Sequence, residues 1–498
     1  MAVALGMGLR SEPAAAQVAP APFIEIMQEP GEVVDVIDAF DDDNDDVYDF
    51  NFRLDFGYTS KRARITRESA VFAPGLTTGG FTSRRQNVGR YIETTSRLSP
   101  RLDFGLYKDL ALYTRLPIIL DNRRRIDDID GTAGNISAAT GGAPGETLFV
   151  IPFEAPSRSG IEHLAVGIDW GIFNQSRDHT KPTWIFGVEG RFAIGTPMHA
   201  CNANPAQGQV ACAHPGDIDR NGQFDADAVS SATGDPLESQ AIDTRGAGVT
   251  RGTASLELHS LISKRLKYIE PYGGFTAAFE FPLGNSDFGE TDLEGTLVNL
   301  PPVVGTVLVG MMIHPWEDRE DFGRLTFDLR FQGEYHSEGR DYSELFDALG
   351  SSAAPSLRNP RWSRFRACEG AECDVARSVV DQGSQRTYFS GLTVVEPYGS
   401  YRGAGSVTYR TGKYVKLNAG VGLRFDQPHG ITHDQPCNPD FAGDVDPSRA
   451  GPCQSTTGGN VTGIPNPAYR PTINAVGRRF YVDQSITYEV FASGTVMF

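Results

Sequence analysis

The sequence predicts an all-β fold: a closed antiparallel transmembrane β-barrel of about twelve strands, with ten or fourteen as the alternatives. Three observations carry this. Large apolar side chains recur at every second position over strand-length segments, opposite rows of charged and polar ones. No stretch approaches the ~18 consecutive apolar residues of a transmembrane helix. Short polar turns alternate with long connections, the asymmetry of a barrel with tight turns at one rim and loops at the other. Strands that cross lipid need every backbone group paired, so the sheet must close.

Residues 1–16, MAVALGMGLRSEPAAA, combine a short apolar stretch with a small-residue run ending at Ala16. They read as the remnant of a secretory signal cut after Ala16. The positive n-region is missing and Arg10 follows the apolar stretch, so an upstream start or a disordered leader are the alternatives. Residues 17–46 hold prolines and then an acidic run: Asp38, Asp41, Asp42, Asp43, Asp45 and Asp46. The simplest reading is a solvated tail; a metal site or a plug folded into the lumen are the others. The barrel is expected over 47–498.

From residue 48 the period of two is pronounced. Tyr48, Phe50, Phe52, Leu54, Phe56 and Tyr58 share one face, and Asp49, Asn51, Arg53, Asp55 and Thr59 the other. A lipid-facing row needs the first set and a polar lumen the second. Leu325, Phe327, Leu329, Phe331 and Tyr335 repeat the pattern against Arg324, Asp328, Arg330, Glu334 and His336, and 415–426 repeats it again. Hairpins turn at Lys108-Asp109, 174–182, 264–267, 317–322 and Thr411-Gly412. With one strand at each end, the count is twelve. Long loops are expected at about 61–90, 121–160, 196–250, 283–303, 338–388 and 427–479.

The six cysteines fall in pairs, each inside one of these loops: Cys201 and Cys212, Cys368 and Cys373, Cys437 and Cys453. Local disulfides in an oxidising compartment fit this placement. No CxxC spacing appears, which argues against a zinc site.

The last strand alternates Ile486, Tyr488, Val490, Ala492, Gly494, Val496 and Phe498 with Ser485, Thr487, Glu489, Ser493 and Thr495. A final strand with an aromatic terminus resembles the assembly signal of Gram-negative outer-membrane β-barrels. The resemblance implies that the strand and Phe498 are read by the barrel-insertion machinery. It further implies a barrel embedded in outer-membrane lipid, with extracellular loops and periplasmic termini.

The segment Asp217 to Asp227 places Asp217, Asp219, Asn221 and Asp225, with the Gln223 carbonyl, at the oxygen-ligand positions of a calcium loop, and Gly222 at its sharp turn. It resembles the Ca2+ loops of EF-hands, dockerins and thrombospondin type 3 repeats. Ala228 stands where an EF-hand has its bidentate acid, and an acidic Asx-turn loop is the plainer reading.

A net charge of −18 argues against a nucleic-acid partner. The expected lumen face includes Asp49, Arg53, Asp55, Glu189, Arg191, Asp328, Arg330, Glu334, Arg402, Lys416 and Arg424. These charges can pair and close the interior, or line a polar path whose acid excess would favour cations. His259-Ser260 and His336-Ser337 are adjacent pairs that point to opposite faces of a strand, so neither makes a dyad, and no enzyme motif is found. The expected function is porin-like passage of small solutes or ions. The alternative is a surface recognition protein whose loops bind an extracellular partner while the barrel anchors them.

Overall fold

The computed structural model describes residues 50–73, 80–129, 140–142, 146–175, 177–205, 210–217, 223, 241–242, 245–284, 286–290, 296–318, 320–358, 388–412, 414–439, 453 and 463–498. Its main sheet runs from β1 (Phe50–Ala73) and β2 (Gly80–Tyr107) to β3, in two segments (Leu110–Arg115 and Ile118–Asp127). Then follow β4 (Leu164–Phe173), β5 (Thr183–Phe192), β6 (Thr253–Ser263), β7 (Ile269–Pro282) and β8 (Val304–Asp318). β9 (Gly323–His336), β10 (Tyr398–Thr411), β11 (Val415–Asp426) and β12 (Phe480–Met497) complete it. Each strand pairs antiparallel with its neighbours in sequence, and β1 pairs with β12. The result is a closed twelve-stranded barrel. Closure satisfies the backbone of every stave, which a sheet in lipid requires.

The seam is sealed at its end by two bonds: the Phe498 N–H donates to the Phe50 carbonyl at 2.8 Å, and the Phe50 N–H to the Phe498 carbonyl at 3.2 Å. The rings of Phe50, Phe104 and Phe498 cluster there, with centroids 5.0 and 5.8 Å from Phe50. Phe173 meets Trp184, and Trp316 meets Tyr409, at the same rim. This is the aromatic girdle of a membrane–water boundary. Above it the outward rows stay exposed and apolar: Phe52, Leu54, Phe56 and Tyr58 on β1, Phe327, Leu329 and Phe331 on β9, Val421 and Leu423 on β11. In water such a belt would be an aggregation surface; in lipid it is the solvated face.

The five short turns fall where the sequence places them. Gly412, at φ 65°, supplies the left-handed residue of the β10–β11 turn without a Cβ clash. Two loop boundaries are corrected. The expected loop at 61–90 is mostly strand, because β1 and β2 run 24 and 28 residues, well beyond the ~9–11 that cross a membrane. The expected loop at 121–160 likewise begins inside β3, which continues to Asp127. The cause is a reversal of pattern partway up the wall. On β1 the apolar face is outward at Phe52 to Tyr58 but inward at Ala63 and Ile65, both buried. Phe480 and Val482 on β12 and Tyr91 on β2 are buried in the same way.

Those inward apolar residues meet the loops. Leu148, Phe149, Ile151 and Phe153 come from the β3–β4 connection, Leu345, Leu349 and Leu357 from β9–β10, and Ile431 and Ile473 from β11–β12. Together with the wall they make one buried core. A second cluster joins Met198, Ala200 and Ala213 to Phe288, Phe346 and Leu392. The long loops therefore fold over the barrel end as a packed cap. Its short helix Phe346–Gly350 is wholly buried. The Cys201–Cys212 and Cys437–Cys453 disulfides are formed; Cys368 and Cys373 lie outside the described residues.

Candidate functional site: a charge-lined lumen beneath a cap

Inward residues of the turn-side half enclose a cavity of about 600 Å3. Its wall is built of charge pairs, some along one strand and some across strands. Arg53 donates to Asp55 at 2.7 Å, and Arg101 to Asp103. Glu189, 4% exposed, receives Arg115 at 2.7 Å and Arg191, which also reaches Glu257. His259 meets Asp169 at 2.7 Å. Arg330 binds Asp328 at 3.1 Å.

At three positions a side chain crosses a strand over a glycine. Tyr272 lies across β8 over Gly310, its cross-strand partner, and donates to Asp328 on β9 at 2.6 Å. A Cβ on Gly310 would sit 2.3 Å from the Tyr272 ring. Gly167 is overlain by Tyr113 in the same manner, and Gly187 by the Asp169–His259 pair. A Cβ at any of the three would collide with the side chain lying over it.

Nearer the cap the pairs continue. Arg402 binds Glu489 at 2.6 Å and Gln332 at 2.6 Å. Arg424 bridges Glu334 at 3.2 Å and Asp426 at 2.9 Å. Lys61 holds Glu344 of the cap at 2.7 Å. The deepest cap contact is Arg158 to Asp347, with donor distances of 2.5 and 3.2 Å and side chains 1% and 6% exposed. Asp347 also accepts the Cys201 N–H at 3.1 Å, so the disulfide loop is fastened to the same carboxylate. Within the cap, burial lowers the Arg470 guanidinium to about 9 and raises the Asp434 carboxyl, against the pull of Arg340.

Of the residues expected on the lumen face, Arg53, Asp55, Glu189, Arg191, Asp328, Arg330, Arg402 and Lys416 line the cavity. Glu334 and Arg424 stand above it, and Asp49 lies outside the described residues. Sequence reading passed over Arg101 and Tyr113, although both share the phase of Asp103 and Arg115. The charge on the cavity wall itself is nearly balanced. Among the described residues, seven cations (Arg53, Arg101, Arg115, Arg191, Arg330, Arg402, Lys416) face six carboxylates (Asp55, Asp103, Asp169, Glu189, Glu257, Asp328) on the cavity wall. Glu270, Glu280, Glu334, Glu396 and Glu489 do not line the cavity.

His259 faces Asp169 while Ser260 accepts from the Trp184 indole at 2.9 Å, on the opposite face. Ser337 is bonded to the Val303 N–H, away from His336. Of the calcium-loop residues, Asp217 and Gln223 are described; Asp219, Asn221 and Asp225 lie outside the described residues.

No protein-family model matches this chain, and no curated protein sequence does. Among solved structures, a Pseudomonas aeruginosa FadL homologue is similar at 9% identity over 90% of each chain, with a TM-score of 0.30. An outer membrane channel from Pseudomonas putida F1 is similar at 9% identity, over 93% of this chain and 99% of that one, at 0.29. The outer membrane protease OmpT from Escherichia coli is similar at 8% identity, over 90% and 96%, at 0.24. Scores this low carry no functional argument. The closed sheet, its apolar belt and its aromatic rim do carry one for location: this chain is a β-barrel of the outer-membrane type.

Proposed function

We propose that this protein is a channel-type outer-membrane barrel that passes small polar solutes, with little preference between cations and anions. The supporting observation is the polar cavity of about 600 Å3, walled by nearly balanced charge beneath a docked cap. Paired charges offer both donors and acceptors to a polar solute, while the balance keeps the net field weak. The cap makes the passage gated rather than permanently open.

Liposome swelling tests this. Small zwitterionic solutes should enter slowly through the wild type and faster when the cap is released by Asp347→Ala. No swelling with either protein would favour the second reading. There the cap, a loop-built body with its own core, presents a surface to an extracellular partner and the barrel anchors it.

The proposal includes assembly in a Gram-negative outer membrane through the terminal strand. Phe498 is 61% exposed at the rim, where charge costs an assembled barrel only ~0–1 kcal/mol. Phe498→Asp should therefore cut the outer-membrane level sharply while leaving refolded protein nearly as stable as the wild type. Equal membrane levels by immunoblot would remove the signal role.

A further inference from the structure

The outward face of the barrel changes character on one side. On β6 to β9 it stays apolar toward the loop-side ends of the strands, at Leu256, Phe281, Val307 and Tyr335. On β1 to β3 it turns basic above Tyr58, with Arg62 and Arg64 on β1, Arg90 on β2, and Arg123 and Arg125 on β3. Register sets these side by side. Arg62 lies between Ile92 of β2 and Ile486 of β12, and one row higher Arg64 lies between Arg90 and Asp483. Ala63, Ile65 and Tyr91, all buried, alternate with them, so Arg62, Arg64 and Arg90 project away from the lumen.

The nearby carboxylates are engaged elsewhere. Asp483 takes Arg85 at 3.1 Å and the Thr66 hydroxyl at 2.9 Å. Asp127, opposite Arg90, takes Arg125 at 3.3 Å, and Asp121 takes Arg123 at 3.0 Å. Among the described residues Arg62, Arg64 and Arg90 have no ion-pair partner, and the Arg64 Nε is buried without an acceptor. Like charges directly opposite on neighbouring strands repel. An anion shared by Arg64 and Arg90 reverses that effect.

Height identifies the source of the anion. Arg62 is twelve residues along β1 from Phe50, whose ring belongs to the aromatic girdle. At ~3.3 Å per residue and a tilt of ~40° this is a rise of about 30 Å, against an apolar band about 25 Å tall. Head groups occupy roughly the next 5–7 Å. The outward row of β12 is exposed and apolar through Val490 and Tyr488 up to Ile486, the neighbour of Arg62. The lipid-facing surface therefore runs without a break into the arginines.

We propose that Arg62, Arg64 and Arg90 bind the phosphate of an anionic lipid head group in the cap-side leaflet, with its acyl chains along Ile486, Tyr488 and Val490. Guanidiniums suit this role because each presents parallel N–H donors to phosphate oxygens. The site is independent of whether the lumen conducts.

The test uses the full chain in detergent micelles doped with dioleoyl phosphatidic acid or dioleoyl phosphatidylcholine, with retained lipid counted by native mass spectrometry. The wild type should hold phosphatidic acid about tenfold more tightly, the effect of one charge-assisted hydrogen bond. Arg64→Gln/Arg90→Gln should bring the two lipids within about twofold of each other. Arg123→Gln/Arg125→Gln removes the same outward charge from arginines that already hold carboxylates, and should keep the preference. Should the first variant fail to fold, Arg90→Gln alone should lower the ratio to about threefold. Equal retention of both lipids by the wild type overturns the proposal. So does an equal loss in the two double variants, which would assign the preference to the net field of the wall. A Tm that inorganic phosphate raises and phosphatidic acid does not would also overturn it, giving the arginines to an anion from solution.

Discussion

Asp347→Ala is expected to release the cap and to lower unfolding stability by about 3–5 kcal/mol, the usual loss when one partner of a buried ion pair is removed. The size follows from burial: Arg158 is left 1% exposed with its main carboxylate gone. The loss is not confined to one pair. The same carboxylate takes the Cys201 N–H and stands 3.8 Å from Arg124 on β3, so three separate segments lose a shared partner. Denaturant unfolding followed by fluorescence measures the first effect, and single-channel conductance the second. Conductance that rises while the strand signal in circular dichroism is unchanged would show the cap leaving an intact barrel. Arg158→Lys should be intermediate, because an ammonium cannot reproduce the two-pronged contact. A stability change under 1 kcal/mol would mean that the cap is held by its apolar core alone.

The staves were legible because lipid imposes a simple rule on them. Phe52, Leu54, Phe56 and Tyr58 must face out and Arg53 and Asp55 in, and a period of two records that directly. The rule fails above the membrane. At Ala63 and Ile65 the apolar face turns inward to meet the cap, with polar residues outside, so a pattern search tuned to lipid stops near residue 60. The lumen was legible by phase but not by height: Glu280 and Glu489 share the inward face with Glu189, yet only Glu189 reaches the cavity wall. The cap was not legible. Arg158 and Asp347 are 189 residues apart, in loops with no period to read, and only the fold brings them together. The glycine saddles are a middle case. Gly167, Gly187 and Gly310 sit on recognisable strands, but what makes them informative is the side chain lying over each one.

Glu189→Gln is the second large effect, and it separates charge from architecture. Glu189 is the hub at which Arg115 and Arg191 converge. Neutralising it leaves two guanidiniums without their shared carboxylate. Both arginines are about 30% exposed to the cavity, so water relieves part of the cost. A loss near 3 kcal/mol is expected, the low end for a buried pair. The wall would then carry seven cations and five carboxylates. In an Asp347→Ala background, where the lumen is open, the reversal potential under a KCl gradient should move toward anion preference. The shift should shrink as salt rises, because the Debye length falls from about 10 Å at 0.1 M to 3 Å at 1 M. Glu280→Gln is the control. Glu280 pairs with Arg251 at 2.7 Å, outside the cavity. Its loss should destabilise the protein without moving the reversal potential. If both variants shift it equally, selectivity is set by the net charge of the barrel rather than by the cavity wall. If neither does, the conducting path does not run past Glu189.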